Sequence, residues 1–228
     1  MAAPTRTADT AVEQFGALTA LPFLKHAFIT RIPGIEVAVD KAAALEKLNR
    51  VHAQVRDSLG IGGWPLVSTE QVHGRELAVI ADAIRDQTLS GLDGLLTKQP
   101  GIMLGIYVAD CCAVFLVDPI KRAVGVVHSG KKGTELGIVP SAIELMTARF
   151  GSRPSDLVLQ LSPCIRPPHY EIDFAATIQK QARAAGVTKV FDDGVCTACD
   201  LHRFYSYRAE KGRTGRMLAL IGIAPEIN

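Results

Sequence analysis

Apolar residues fall into short blocks along the first two-thirds of the chain, with turn residues between them. Residues 22–31, PFLKHAFITR, predict a strand ending at Arg31. The period then changes. Over residues 40–59 Ala42, Leu45, Leu48, Val51 and Val55 recur at helical spacing, with Asp40 placed to cap the helix and Gly60 to end it. Strand-sized blocks rich in Val, Ile and Leu follow at about 66–72, 76–81, 92–97, 102–108, 113–117 and 122–127. They are punctuated by His-Gly, Leu-Asp-Gly, Gln-Pro-Gly and Asp-Pro. Several lack in/out alternation, the pattern of strands covered on both faces.

A second helix is predicted over Thr134–Phe150, after the glycine-rich SGKKG, and Pro140 in its first turns draws the start toward Gly137. Leu157–Leu161 predicts a strand, Asp173–Ala185 and about 200–210 two helices, and Met217–Ile223 a last strand. Central strands with helices around them imply one α/β or α+β sandwich. Residues 1–20 are expected to be a variable tail and 21–228 a single domain.

Composition narrows the class. At 228 residues, 48% apolar and 21% charged, the chain is an ordinary globular protein. A formal net charge of +2 gives no push toward nucleic acid or an acidic membrane. The longest apolar runs are strand-sized, and the N-terminus lacks a basic start followed by an apolar stretch, so neither a membrane span nor a secretory signal is expected. Five cysteines, two of them adjacent, argue against a disulfide framework and for a reducing cytoplasm.

Chemistry concentrates where apolar strands end. STEQVHG places His73 before a glycine, IMLGIYVADCC places Asp110, Cys111 and Cys112 at a strand end, and AVGVVHSGKKGT places His128 at another. Two imidazoles and a thiolate suit zinc, and three protein ligands leave a fourth position open, as in catalytic sites. Copper also accepts such a set. The plainer alternative is a scatter of core histidines and one buried cysteine, because separations of 38 and 17 residues match no local finger. The HSGKKGT turn before a helix offers backbone amides to an anion. Gly125–Lys131 has P-loop spacing, but Lys132 stands where Ser or Thr is required. Cys196 and Cys199 have redox or zinc spacing without a second pair, and Asp192-Asp193 and Glu171/Asp173 read as loop or cap carboxylates.

Together these residues resemble the laccase-domain proteins, first called multicopper polyphenol oxidases and later read as purine nucleoside phosphorylases. The resemblance rests on Gln71–Gly74, Asp93–Leu95 with Gln99–Gly101, Ala109–Cys111 with Asp118-Pro119, and Val127–Thr134. It continues through Ser162–Ile165, Tyr170-Glu171, Cys196-Thr197, Arg203–Arg208 and Thr214–Arg216. It implies mixed β-sheets flanked by helices, a fold similar to that of toxin deamidases. It also implies a metal site of His73, Cys111 and His128, with zinc as the expected ion and copper the alternative. The implied reaction splits adenosine, inosine or guanosine with phosphate, giving base and ribose 1-phosphate; adenosine deamination and methylthioadenosine cleavage are attributed to some members. Asp110, Cys111 and His128 are the expected catalytic residues. Arg31, Arg50, Gln71, Gly130, Lys131, Lys132 and Thr134 are the expected substrate or phosphate contacts.

The chain departs from the family pattern at Lys131-Lys132, where Trp-Arg is usual, after Arg31, where Gly-Gly and an Asn-Leu loop are missing, and in a shorter segment between Tyr170 and Cys196. Lysine is a point charge where arginine is a planar fork. Three other readings stand beside phosphorolysis: a cysteine hydrolase with a Cys111–His128 dyad, a copper-dependent phenol oxidase, and a metal-binding scaffold acting through a partner. Six histidines are few for a multicopper cluster. The expected partners are small molecules, nucleoside and phosphate, with no nucleic acid and no membrane, bound by a monomer or homodimer.

Overall fold

A computed structural model describes the backbone of Thr5–Arg6 and residues 11–226. Among the described residues, thirteen strands form two sheets. The strands are β1 (Thr5–Arg6), β2 (Val12–Gln14), β3 (Leu24–Ile29), β4 (Leu66–Glu70), β5 (Leu77–Ile80), β6 (Gln87–Ser90), β7 (Gly94–Thr97), β8 (Met103–Val108), β9 (Cys112–Asp118), β10 (Ala123–Ser129), β11 (Val158–Leu161), β12 (Lys189–Asp192) and β13 (Met217–Ile223). The helices are α1 (Gly16–Thr19), α2 (Lys41–Ser58), α3 (Lys131–Glu135), α4 (Ile138–Phe150) and α5 (Phe174–Ala184).

The first sheet runs β1-β2-β3-β13-β8-β4-β6 and the second β12-β11-β9-β10-β7-β5. Both are mixed: β4 pairs parallel with β6 and β8 while β13 pairs antiparallel with β3 and β8, and β11–β12 and β5–β7 are parallel in the second sheet. The expected sandwich of mixed sheets flanked by helices is therefore the observed fold. β10 lies against β13 and β8, so the sheets stack face to face.

The absence of alternation in the central blocks has a direct cause. Along β9, Ala113, Phe115 and Val117 enter the core between the sheets, while Cys112, Val114 and Leu116 enter a second core. That second core is closed by Ile143 and Met146 of α4 and Ile178 and Ala182 of α5. Helix α2 is capped by Asp40, whose side chain accepts from the Ala43 amide, and its buried stripe is Ala44, Leu48, His52 and Arg56. The last two are polar, which apolar periodicity does not flag.

Several elements differ from the sequence pattern. Residues 11–20 are no tail: β2 pairs with β3, and Phe15 and Leu18 are in the core. The rest of the expected tail, apart from the Thr5–Arg6 backbone, lies outside the described residues. The helix expected over 134–150 starts after Gly137 (φ 73°), where Pro140 drew it, and a separate short helix α3 precedes it. Residues 200–210 are turns and extended chain instead of a helix. Phe204, Tyr205 and Ser206 are consecutive and all buried, which one face of a helix cannot achieve, and the Arg31 amide donates to the Arg203 carbonyl. Strands β6 and β12 are short edge strands whose sequences carry little apolar signal.

Candidate metal centre and cavity

The ligand atoms of His73, Cys111 and His128 all lie within 4.8 Å of one another. Atoms bound to one tetrahedral zinc stand roughly 3.3–3.8 Å apart, so modest side-chain rotation closes the set on an ion. Each residue comes from a different place. His73 sits in the turn after β4, in the first sheet, with φ 59°. Asp110 and Cys111 form the link from β8 to β9, which crosses from one sheet to the other, and Asp110 has φ 78°. His128 is near the end of β10, in the second sheet. Left-handed backbone at non-glycine residues is uncommon, and two of the four such positions among the described residues, His73 and Asp110, lie at this centre.

Asp93, just before β7, organises the centre. Its Oδ1 is 2.8 Å from His128 Nδ1 and accepts from the His73 amide at 3.0 Å, while Oδ2 accepts from the Gly74 amide at 2.7 Å and the Val72 amide at 3.2 Å. One buried carboxylate thus fixes both the His128 ring and the His73 turn, and leaves His128 Nε2 free for the centre. This is the arrangement that orients metal-binding imidazoles. Burial works to raise the Asp93 pKa, but the His128 contact and the Gly74 and Val72 amides outweigh it and hold the carboxyl below its usual range. The sequence presented Asp93 in a Leu-Asp-Gly turn and at the start of the Asp93–Leu95 element of the resemblance, with no role attached to it.

Burial would raise the Cys111 thiol, yet the charge and hydrogen bonds of His128 and His73 bring it down to about 6. Burial would lower His128, yet the Cys111 thiolate and Asp93 push it up to about 9. Without an ion the pair is therefore thiolate and imidazolium. Gly130 completes the wall by what it lacks: a β-carbon there would stand 2.4 Å from Cys111 Sγ. The chemistry of the donor set, two oriented imidazoles and a thiolate, fits a metal ion.

A cavity of about 550 Å³ opens beside the centre. His73, His128 and Asp110 line it on one side, Tyr107, Tyr170 and Tyr207 supply aromatic surface, and Lys41, Arg208, Lys211 and Arg216 supply positive charge. Gln71 also lines it, donating to the Tyr107 carbonyl through Nε2 and leaving a buried Oε1 unpartnered. Asp110 is held fast: Oδ1 accepts from the Thr197 hydroxyl and Oδ2 from the Arg208 amide, each at 2.7 Å.

The structure does not bring the other expected contacts to this cavity. Arg31 bonds Glu210 at 2.6 Å and lies over the Tyr205 ring, tying the 203–210 segment to the first sheet. Arg50 is exposed on α2, and Lys131 and Lys132 are exposed on α3. Thr134 is buried, bonded to Ser129 Oγ and the Gly130 carbonyl, where it holds the turn. Gly125 lies inside β10, where a β-carbon would meet Leu96 at 2.1 Å, so the P-loop spacing is coincidental.

The model of the multi-copper polyphenol oxidoreductase laccase family matches residues 33–176 and 168–224. The chain belongs to this laccase-like family. Among laccase-like relatives, the purine nucleoside phosphorylase YlmD of Geobacillus stearothermophilus is 30% identical over 237 residues, covering 87% of this chain and 85% of the relative. A purine nucleoside phosphorylase of Deinococcus radiodurans is also 30% identical, with 87% and 88% covered. The crystal structure of the hypothetical protein YfiH of Bacillus licheniformis superposes with a TM-score of 0.83 at 23% identity, over 96% of this chain and 98% of the other. That of YlmD from Geobacillus stearothermophilus gives 0.80 at 24% identity, over 97% and 99%. These superpositions establish the laccase-like fold. Among the described residues, no helix is long and apolar enough to cross a membrane.

Proposed function

We propose that the protein is a metal-dependent purine nucleoside phosphorylase, with His73, Cys111 and His128 holding zinc. The observation that carries this reading is the juxtaposition of the His–Cys–His cluster with a cavity that combines aromatic and cationic walls. Relatives at 30% identity named purine nucleoside phosphorylase support the reaction class. A bound zinc would supply Lewis-acid stabilisation of developing negative charge.

The chain's own residues do the rest. Tyr107, Tyr170 and Tyr207 offer faces and edges to a purine. The unpartnered Gln71 Oε1 is an acceptor for a ribose hydroxyl or a base N–H. Asp110, pinned by Thr197 and Arg208, positions the Cys111 link and the 208 loop. In the reaction the C1′–N bond to the base breaks and a phosphate oxygen bonds C1′. The bond's electron pair leaves on the purine nitrogen, which takes the proton that hydrogen phosphate gives up. The test is incubation with adenosine or inosine, with and without phosphate. Ribose 1-phosphate formed only with phosphate supports the assignment; intact nucleoside in both rejects it.

One observation favours a second reading. Asp93, His128 and Cys111 lie in the order of a carboxylate–imidazole–thiol relay, the arrangement of a cysteine hydrolase. His73 discriminates, since such a relay has no use for a second imidazole beside the thiol. Rapid alkylation of Cys111 by iodoacetamide that is indifferent to added zinc would favour hydrolysis.

A further inference from the structure

The position of the cationic side chains bears on where an anion binds. Lys41 is the first residue of α2, and Arg216 precedes β13. The two line the same cavity as His73 and His128. Arg216 is half-buried, and its Nη1 donates to the carbonyls of Thr214 and Gly215, both at 2.9 Å, which fixes the guanidinium without neutralising it. Neither Lys41 nor Arg216 forms an ion pair among the described residues. Burial lowers the Arg216 pKa from its usual value. Burial also lowers that of Lys41, and the Arg216 charge adds to the effect, while Glu70 and Asp93 oppose it. Two cations that repel each other across a cavity are a poor arrangement for a structural purpose and a good one for an anion.

The rest of the wall adds to this balance. Arg208 is shared with Glu171 at 3.1 Å, and Lys211 is exposed at the rim. The one carboxylate in the lining, Asp110, has both oxygens occupied by Thr197 and Arg208. By contrast, the HSGKKGT turn has its lysines exposed outside the cavity, and α3 is a five-residue helix.

We propose that Arg216 and Lys41 form the phosphate subsite of this cavity, with Arg216 as the fixed fork and Lys41 as a second point charge. The subsite rests on the phosphorylase reading for its role. It places the dianion at Arg216, whose guanidinium lies over the Tyr207 ring at 5.8 Å, and leaves the remaining lining for the base. Arginine at a fixed position pairs two oxygens of a phosphate, while lysine adds a point charge.

Four proteins test it: the native chain, Arg216→Met, Lys41→Gln, and a Lys131→Gln/Lys132→Gln control. Initial rates of inosine cleavage are measured against phosphate and, separately, against inosine, and inorganic phosphate binding is measured by calorimetry. The expected result is a rise in the phosphate KM of about tenfold or more for Arg216→Met and about threefold or more for Lys41→Gln, with the inosine KM within about twofold. The control should match the native protein. Phosphate KM values within about twofold of native in both Arg216→Met and Lys41→Gln would overturn the subsite, as would a control that shifts it instead. Thermal melting checks folding; if Arg216→Met does not fold, Arg216→Lys and Lys41→Gln decide. If the native protein cleaves nothing, the phosphorylase reading fails. Calorimetry then judges the subsite alone: phosphate binding weakened by Lys41→Gln and by Arg216→Met or Arg216→Lys upholds it, and absent or unchanged binding refutes it.

Discussion

His128 Nδ1 and Asp93 Oδ1 are 2.8 Å apart, and the same carboxylate accepts the amides of residues 72–74. A carboxylate outside the His–Cys–His set therefore positions two of its three side chains. Asp93→Asn keeps the shape but removes the charge. Zinc affinity should fall about 10–100-fold, read by competition with a chromophoric chelator. Affinity equal to native would show that the ring is oriented by its packing alone.

Metal content tests the cluster itself. The native protein should purify with, or take up, one zinc per chain, and His73→Ala should lose it while still melting cooperatively, since His73 is an exposed turn residue. Stoichiometric zinc retained in that variant would place the ion elsewhere.

Gly130→Ala puts a methyl group 2.4 Å from Cys111 Sγ in a backbone with φ −95°, where alanine has no conformational objection. The effect is thus steric and local. Activity and metal binding should drop together by about tenfold or more, with a smaller loss of stability. An active, zinc-loaded variant would mean that the thiolate does not occupy this position during turnover.

For the metal-free protein, the Cys111 and His128 shifts make a signed prediction. A thiol lowered from 9.0 to about 6 favours folding increasingly as pH rises from 6 to 9. An imidazole raised from 6.5 to about 9 contributes fully below 6.5 and is lost as pH rises to 9. Across about 6.5–9 the two slopes oppose and cancel, so the pair itself leaves stability level there. Thiolate absorbance in the ultraviolet should appear with a midpoint near 6 in the native metal-free protein and shift upward in His128→Ala, where burial is opposed by His73 alone. A native midpoint near that of a free thiol would refute the ion pair.

Acid sensitivity should come from the core. Burial lowers His26 and His52 to about 4. The unfolded chain takes up these protons below about 6.5 and the folded chain does not, so stability falls as pH drops from 6.5 toward 4, by up to about 3 kcal/mol per histidine. His52 has no hydrogen-bond partner and stacks on Tyr107 at 6.0 Å, so His52→Phe keeps the ring and removes the titration. Urea midpoints across this range should flatten in the variant; an unchanged acid limb would assign the loss to other groups.

Strand ends marked His73, Cys111 and His128 as candidates but left scattered core residues as the plainer alternative; the resemblance to the laccase-domain family joined them into one centre. Central strands were legible because burial on both faces makes β9 and β10 uninterrupted apolar runs. What stayed hidden depended on long-range neighbours. Asp93 looks like a turn residue until β10 is laid beside β7. Lys41 looks like a helix start and Arg216 a strand flank until both meet one cavity. Arg31 was legible as charged and conspicuous, but its partner Glu210 is 179 positions away. The 200–210 segment misled because its polar-apolar mix imitates a helix while Phe204 and Tyr205 are both drawn inward.

The last strand of the chain, β13, is inserted between β3 and β8. The β8 strand leads into the Cys111 link, so that link lacks its neighbour until the C-terminal residues have docked. Without β13, β8 keeps only β4 as a partner, and the strand that leads into Cys111 becomes a sheet edge. Deleting residues 217–223, far in sequence from the His–Cys–His cluster, is therefore expected to weaken the proposed ion site as well as the sheet.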